Sequence, residues 1–412
     1  MSQAGAQAKG VGTPMGAIVL AGCLVAMLSF GPRSVMGAFQ LPVFGSRPWG
    51  QEAFSFALAA QNLLWGVGQP FAGAIADRFG SKYVLIAGAV LYAGGLSLMA
   101  SANSALGFNL GAGVLIGFGL SGASFNLVLG SFAKLLPPRR LSYAFGAATA
   151  AGSFGQFLFS PLAGALIERF GWEGAALAFA ALILPIVPLS LVIATPPSGF
   201  SPQAGQGATF RMALRYRSYV LLVLGFFTCG FQLAFITVHF QRYIVESGLS
   251  ATIGYWAIAL VGAFNIFGSL LSGWLGASLP RRYILSAIYL SRAAATALFI
   301  ALPPSPQSAL LFGAVTGLLW LSTVPPTSSL IGQMFGAKNL SMLYGFAFFS
   351  HQLGGFLGVL LGGVFRESFG SYLPVWLLSI ALGVISALLN LPIVEAPAEP
   401  AAQRGMILEG VK

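Results

Sequence analysis

The chain has 412 residues, of which 57% are hydrophobic and only 7% are charged, and its mean hydropathy is +0.85. A soluble protein carries about 25% charged residues, so this composition excludes a soluble globular protein and indicates an integral membrane protein. The net charge is +11. The apolar stretches are continuous and do not alternate with polar residues, which excludes a transmembrane β-barrel.

Apolar stretches of roughly 20 to 30 residues, long enough to cross about 30 Å of hydrocarbon as helices, recur along the whole chain. They predict an all-α membrane protein with twelve transmembrane helices. The predicted spans are 15–43, 54–76, 83–101, 105–133, 141–167, 173–195, 218–244, 252–277, 283–302, 307–334, 340–365 and 372–394.

The distribution of Lys and Arg over the predicted loops explains the basic excess. With the N-terminus placed in the cytoplasm, fourteen of the 20 fall on the cytoplasmic side, four on the other side and two within helices. This positive-inside bias predicts a multi-pass protein of the bacterial cytoplasmic membrane with both termini in the cytoplasm. The excess of basic residues therefore reflects the orientation of the chain in the membrane, and we expect no nucleic-acid partner.

Two internal repeats divide the chain into halves. The segment from Gly73 to Lys82 matches the segment from Gly273 to Arg282 at an offset of 200, and 164–171 matches 363–370 at an offset of 199. A polar stretch rich in Pro, Ser and Gly separates the halves. The predicted domains are a six-helix half at 1–195, a cytoplasmic linker at 196–217, a second six-helix half at 218–395 and a cytoplasmic tail at 396–412.

The loop after span two resembles the signature loop of the major facilitator superfamily. In that family, the pattern is glycine, three residues, an acidic and a basic residue, one residue, glycine, one residue and a base. The resemblance implies a pseudo-symmetric fold of two six-helix halves and a conformational latch, in which an acid caps a helix of the other half or pairs with an arginine. The second copy keeps only its first glycine and its final bases. The gating residues are therefore Gly73, Asp77, Arg78, Gly80 and Lys82.

The first span and the loop after it resemble one branch of this family. The stretch from Gly31 to Pro42, followed by Trp49 to Ser55, is similar to bacterial monocarboxylate-transporter-like and oxalate/formate-type members. The resemblance implies a secondary transporter of a monocarboxylate. The acidic-glycine-aromatic motif of animal carriers is absent, and the span-eight arginine of relatives is also missing, with Ser269 in that region.

Polar side chains inside the predicted spans are candidates for the translocation path, because a polar group in hydrocarbon faces a cavity or another helix. By the family's architecture, spans one, two, four, five, seven, eight, ten and eleven line that path, and most of these residues lie there. The candidate substrate-binding residues are Arg33, Gln40, Asn62, Asn126, Gln156, Gln232, Asn265, Arg292, Trp320, Thr323, His351 and Gln352.

Arg33 is the first candidate for the substrate anchor, because a guanidinium forms bidentate hydrogen bonds with a carboxylate. The alternative is a structural role, in which it satisfies carbonyls that Gly31-Pro32 leaves free. Arg292 lies in span nine, which is peripheral in this fold, so it either contacts substrate or braces helices. His351, and with less support His239, are candidates for proton coupling, because histidine titrates near neutral pH. Pro161 and Pro325-Pro326 predict kinks or breaks in their helices.

The predicted function is secondary active transport of a small organic anion by alternating access, with protons as a possible coupling ion. Two intramembrane arginines without intramembrane acids favour it. The alternative is an efflux pump for neutral or lipophilic compounds, which 35 Phe residues favour. A membrane enzyme would need clustered catalytic groups and a sensor would need a soluble output domain, and the sequence indicates neither. No cofactor or metal site is predicted, and the expected partners are a small anionic substrate and membrane lipid around a monomer.

Overall fold

A computed structural model of the protein describes residues 14–197 and 206–398, and it confirms the twelve-helix prediction. Span one is Met15–Ser34, a 3₁₀ turn at Met36–Phe39 and Gln40–Ser46. Spans two and three are Gly50–Phe79 and Ser81–Ser101. Span four consists of Ala105–Phe108, a π-helical segment at Asn109–Leu115, Ile116–Gly122 and Phe125–Leu135. Spans five and six share Pro138–Ile183, in which the chain reverses direction at Gly171, and span six continues in Ile186–Val192.

The second half repeats this order. Spans seven, eight and nine are Arg217–Glu246, Ala251–Ser278 and Arg281–Ala301. Span ten is Pro306–Leu319 and Val324–Phe335, and spans eleven and twelve are Ala337–Phe369 and Leu373–Asn390. The linker contains a helix that the sequence did not predict, Gln206–Arg215.

Ten stretches of the described residues are long and apolar enough to cross a membrane. One of them, Arg139–Val192, is 54 residues long and holds two passes. Gly171 makes the reversal possible, because its φ of +70° is accessible to glycine at little cost. Gly50–Phe79 is not among the ten, because it carries several polar residues. Dividing Arg139–Val192 into two passes gives eleven, and span two is the twelfth.

Pro325 and Pro326 coincide with a break in span ten, as predicted, whereas the helix of span five continues through Pro161. Pro325 and Pro326 lie in the first turn of the second piece of span ten, directly after a break at 320–323. Pro161 lies inside the helix of span five, where only Gly171 leaves helical φ/ψ. A helix accommodates an internal proline when its neighbours satisfy the freed backbone groups, as neighbouring helices do in membranes.

The two ends of the bundle differ in charge and are named here by that difference. The basic end holds the loops at 77–82, 134–140 and 278–282, and the opposite end holds the loops at 46–50, 169–173 and 246–251. At the basic end the halves repeat one contact: Ser81 exchanges hydrogen bonds with Thr195, and Arg281 pairs with Glu395 at 3.4 Å. The offset is again 200, so the sequence repeat is also a structural repeat.

Contacts between the halves lie at mid-depth and at the opposite end. Span two packs on span eleven, and span five packs on span eight. A Cβ on Gly363 would meet the side chain of Ser55, and the Ser160 hydroxyl donates to the Tyr255 carbonyl at 2.6 Å. Nearer the basic end, a Cβ on Gly73, Gly146 or Gly345 would meet nothing within 4 Å. The halves are thus closely packed at mid-depth and at the opposite end.

Candidate functional site

Arg33 lies at mid-depth between the halves and bonds to a neutral side chain. One of its Nη atoms donates to Asn62 Oδ1 of span two at 2.5 Å, and its guanidinium carbon lies 5.4 Å from the centre of the Trp65 ring. Among the residues that the structure describes, no hydrogen-bond partner reaches its buried Nε and no carboxylate forms an ion pair with it. This leaves a half-buried positive charge with unused donor capacity at a buried Nε.

A chain of amide and imidazole contacts connects Arg33 to the second half. Gln352 of span eleven donates from Nε2 to the Asn62 carbonyl at 3.3 Å. His351 Nδ1 lies 2.9 Å from Gln352 Oε1. Because an amide oxygen only accepts, this contact requires a proton on His351 Nδ1. The structure therefore brings Arg33, Asn62, His351 and Gln352 together across the interface between the halves.

Arg292 has a different environment, at the break in span ten. Its guanidinium donates to the backbone carbonyls of Leu319 and Trp320, which end the first helical piece. Asn265 of span eight accepts from the Leu321 N–H at 2.9 Å, and the Ser272 hydroxyl donates to the Ser322 carbonyl. Of the two roles predicted for Arg292, these contacts correspond to bracing a helix, and one Nη has no hydrogen-bond partner in the described part of the chain.

The contact between Thr323 and Cys229 brings this break close to the cluster around Arg33 and His351. The Cys229 sulfur lies 3.2 Å from the Thr323 hydroxyl, and it also interacts with His351 and Arg292. Trp320 is buried with 2% of its surface exposed. In this conformation its side chain is therefore packed in the protein and not on an open cavity.

Gln40 and His239 form a separate cluster nearer the opposite end. The Gln40 amide nitrogen lies 3.2 Å from His239 Nδ1, and the Tyr372 hydroxyl lies 3.3 Å from the same atom. An amide nitrogen and a hydroxyl can both donate, so His239 Nδ1 is the acceptor in this cluster. His239 Nε2 then carries the proton and donates to the Val359 carbonyl at 2.9 Å. His239 is a fully partnered contact between the halves and lies apart from Arg33.

The predicted gating residues lie at the basic end. Asp77 pairs with Lys134 of span four at 2.6 Å, a partner in the same half and not the helix end or arginine that was expected. Gly80 has a φ of +94°, and a Cβ there would meet the Thr195 carbonyl. Arg78 and Lys82 lie against the neighbouring rings of Phe79 and Tyr83. Glycine is needed at position 80 for both conformation and space.

Three predicted substrate residues lie outside these clusters. Gln232 donates to the Ser379 carbonyl of span twelve at 3.0 Å, so its amide faces away from the path. Gln156 is 1% exposed beside span eight, and neither of its amide atoms has a partner among the described residues. Asn126 is half-buried in the second piece of span four. The cluster around Arg33 is therefore smaller than the predicted set.

The sequence reasoning missed Trp65 and Cys229. Trp65 had a usable signal: it lies three residues after Asn62 and four before Gln69, so all three share one helix face. Cys229 had none, because a cysteine among apolar neighbours in a span is indistinguishable from a small core residue.

Comparison with known proteins agrees with this architecture. The family model of the Major Facilitator Superfamily matches residues 15–323 and 256–409. An uncharacterised MFS-type transporter of Bacillus subtilis, YcxA, is 26% identical over 386 residues, covering 89% of this chain and 91% of that protein. Human monocarboxylate transporter 11 is 29% identical over 347 residues, covering 80% and 71%.

Among solved structures, that of a D-xylose-proton symporter matches with a TM-score of 0.73 at 17% identity, covering 92% of this chain and 98% of that one. A likeness at this identity concerns the fold alone. Family and fold are those of transporters and not of enzymes. The chain belongs to the major facilitator superfamily and is a multi-pass membrane transporter.

Proposed function

We propose that the protein is a secondary active transporter of a small organic anion, a monocarboxylate, which binds to Arg33. Several relatives bear the name monocarboxylate transporter, which supports this substrate class. The two halves rock around the mid-depth cluster, as in other transporters built from repeats. Gln352 and Asn62, which join the halves next to Arg33, separate when the path opens to the opposite end.

The contrast between the two intramembrane arginines carries this proposal. Arg292 donates to backbone carbonyls, whereas Arg33 donates to a neutral amide and keeps a buried Nε without a partner. A buried charge that lacks a counter-charge is costly, and an anionic substrate supplies that counter-charge. A carboxylate also matches the fork of guanidinium donors.

We infer that the basic end faces the cytoplasm of a bacterial cell and that this conformation is open to that side. The positive-inside rule supports the orientation. The close packing of Ser160 on Tyr255 between the halves at the opposite end supports the conformation.

The proposal is tested by the melting temperature of the purified protein against small carboxylates, neutral lipophilic compounds and organic cations. A ligand at about a hundred times its Kd adds roughly 2.7 kcal/mol to stability. We expect carboxylates alone to raise the melting temperature of the wild type, and Arg33→Gln to abolish that shift. Arg169→Gln is the matched control, because Arg169 is exposed at the opposite end.

The competing function is efflux of neutral or lipophilic compounds. Stabilisation by such compounds, unchanged in Arg33→Gln, would favour it and give Arg33 a structural role. Uptake of a radiolabelled carboxylate into liposomes that contain the protein, absent with Arg33→Gln, is the second readout.

We further propose that transport is coupled to protons through His351, because His351 belongs to the cluster that contains Arg33. An inward proton gradient should accelerate carboxylate uptake into liposomes, and His351→Gln should remove the acceleration while leaving binding intact. His239→Gln is the comparison. Gradient-driven uptake that survives in His351→Gln would refute this role.

A further inference from the structure

Aromatic rings form a continuous row beside Arg33. The row consists of Trp65 of span two, Phe348 and His351 of span eleven and Phe226 of span seven. Trp65 and Phe348 meet edge to face with ring centres 5.5 Å apart, and Phe348 lies parallel to His351 at 5.8 Å with an angle of 7°. His351 lies 4.9 Å from Phe226. The row crosses from the first half to the second at the depth of the guanidinium.

The Trp65 indole is held by polar contacts at its edge. Its Nε1 donates to Gln69 Oε1 at 3.2 Å, and Gln69 Nε2 donates to the Ser124 hydroxyl of span four at 3.0 Å. These bonds satisfy the polar group of the indole and fix the orientation of the ring. The π faces of Trp65 therefore remain for the Arg33 guanidinium and for another ring.

Three of the four rings in the row keep part of their surface exposed, whereas Phe226 is buried. Trp65, Phe348 and His351 are each half-buried, and Arg33 is half-buried beside them. Trp65 and Phe348 contact each other across the interface between the halves, so the row lies along that interface. A substrate carboxylate on Arg33 would thus have ring surface directly next to it.

We propose that the substrate is an aromatic monocarboxylate, with the carboxylate on Arg33 and a flat ring against Trp65 and Phe348. This inference rests on the proposed function, and it names the body of the molecule that Arg33 anchors. A saturated ring of the same size buries similar apolar area but lacks the ring–ring term. That term changes the dissociation constant by roughly two- to twelvefold. Because Trp65 and Phe348 belong to different halves, such a ring also contacts both halves.

The test uses pairs of acids that differ only in aromaticity: benzoate with cyclohexanecarboxylate, and phenylacetate with cyclohexylacetate. Calorimetric titration of the purified protein should give tighter binding of the aromatic member of each pair, by roughly two- to twelvefold. Trp65→Leu and Phe348→Leu should reduce that ratio to about one while retaining the binding of both acids. Phe56→Leu, a change in the same span at a ring 52% exposed and outside the row, should keep the ratio.

Failure of this inference is distinguishable from failure of the proposed function. Equal affinity for both members of each pair, with binding lost in Arg33→Gln, would overturn the aromatic assignment and leave the anion transporter standing. A ratio that survives in both Trp65→Leu and Phe348→Leu would also overturn it. Binding of all four acids that is unchanged in Arg33→Gln would overturn the proposed function itself.

Discussion

Spans four and ten are broken at equivalent positions of the two halves, but different polar groups support the two breaks. In span four the helix ends at Gly122 and resumes at Phe125. In span ten it ends at Leu319 and resumes at Val324. The resumed pieces begin 199 residues apart, as the sequence repeats do.

Neutral side chains support the break in span four. The Ser121 hydroxyl donates to the Trp65 carbonyl at 3.1 Å. The Ser124 hydroxyl accepts from the Leu127 N–H at 3.3 Å and from Gln69 at 3.0 Å. Only two residues leave the helix here, so few backbone groups need a partner.

The break in span ten is longer and has a charged support. Four residues leave the helix, and Arg292 donates to two of the freed carbonyls. Asn265 accepts from the Leu321 N–H, and the Ser272 hydroxyl donates to the Ser322 carbonyl. In hydrocarbon each unsatisfied backbone group is costly, so every freed group near a break needs a partner. An intramembrane arginine can therefore direct all its hydrogen bonds to backbone carbonyls, as Arg292 does. The partner of the guanidinium, and not its depth, separates Arg292 from Arg33.

The largest expected effect comes from adding a methyl group beside each break. A Cβ at Gly268 would meet the backbone carbonyl of Leu318, whereas a Cβ at Gly68 would meet the Ser121 hydroxyl. The carbonyl belongs to the supported helix end and cannot move, whereas the hydroxyl can rotate. We expect Gly268→Ala to lower the free energy of unfolding by about 3 kcal/mol and Gly68→Ala by about 1 kcal/mol. Unfolding in mixed detergent micelles measures both, and equal losses would contradict the difference between the breaks.

Removing the main support of each break gives the next largest effect. Arg292→Leu leaves the Leu319 and Trp320 carbonyls without a donor, and we expect a loss of about 2 kcal/mol in unfolding free energy. Gln69→Leu removes one neutral contact from the Ser124 hydroxyl and should cost about 1 kcal/mol. Stabilisation by carboxylates should persist in Arg292→Leu. A binding defect without a stability defect would instead assign Arg292 to substrate.

The smallest effect concerns the amide that joins a break to the other half. Asn265 accepts from Leu321 N–H and donates to the Ser153 hydroxyl of span five at 2.8 Å. Polar contacts between membrane helices contribute about 0.6 kcal/mol on average, so Asn265→Ala should cost about that much. Hydrogen exchange at the Leu321 amide should accelerate at the same time. Asn126→Ala is the control, and unchanged exchange in Asn265→Ala would exclude this support.

Much of the fold was predictable from residue patterns. Long apolar stretches, polar loops and the matching segments at 73–82 and 273–282 predicted twelve helices in two halves, which the structure and the family match confirm. The break near Pro325 was also predictable, because proline lacks the N–H that a continuous helix requires. The helix at Gln206–Arg215 was not, because the polar stretch around it is typical of a linker.

The site was only partly predictable. Arg33, Asn62, His351 and Gln352 were all candidates, and the structure brings them together. Gln232 was an equally good candidate by its depth and polarity, yet it faces span twelve. The rotation of a helix about its axis depends on its neighbours, and a uniformly apolar span carries little periodic signal for it.

The sequence alone determined that this chain crosses the membrane and how many times it does so. The hydrocarbon imposes these properties on each stretch of about 20 residues independently of the others. Only the tertiary structure decided what each buried polar group does. The Arg33–Asn62 bond joins residues 29 positions apart, and the Gln352–Asn62 bond joins residues 290 positions apart. Partners at such separations are chosen by helix packing, so the role of each arginine followed from its neighbours in space.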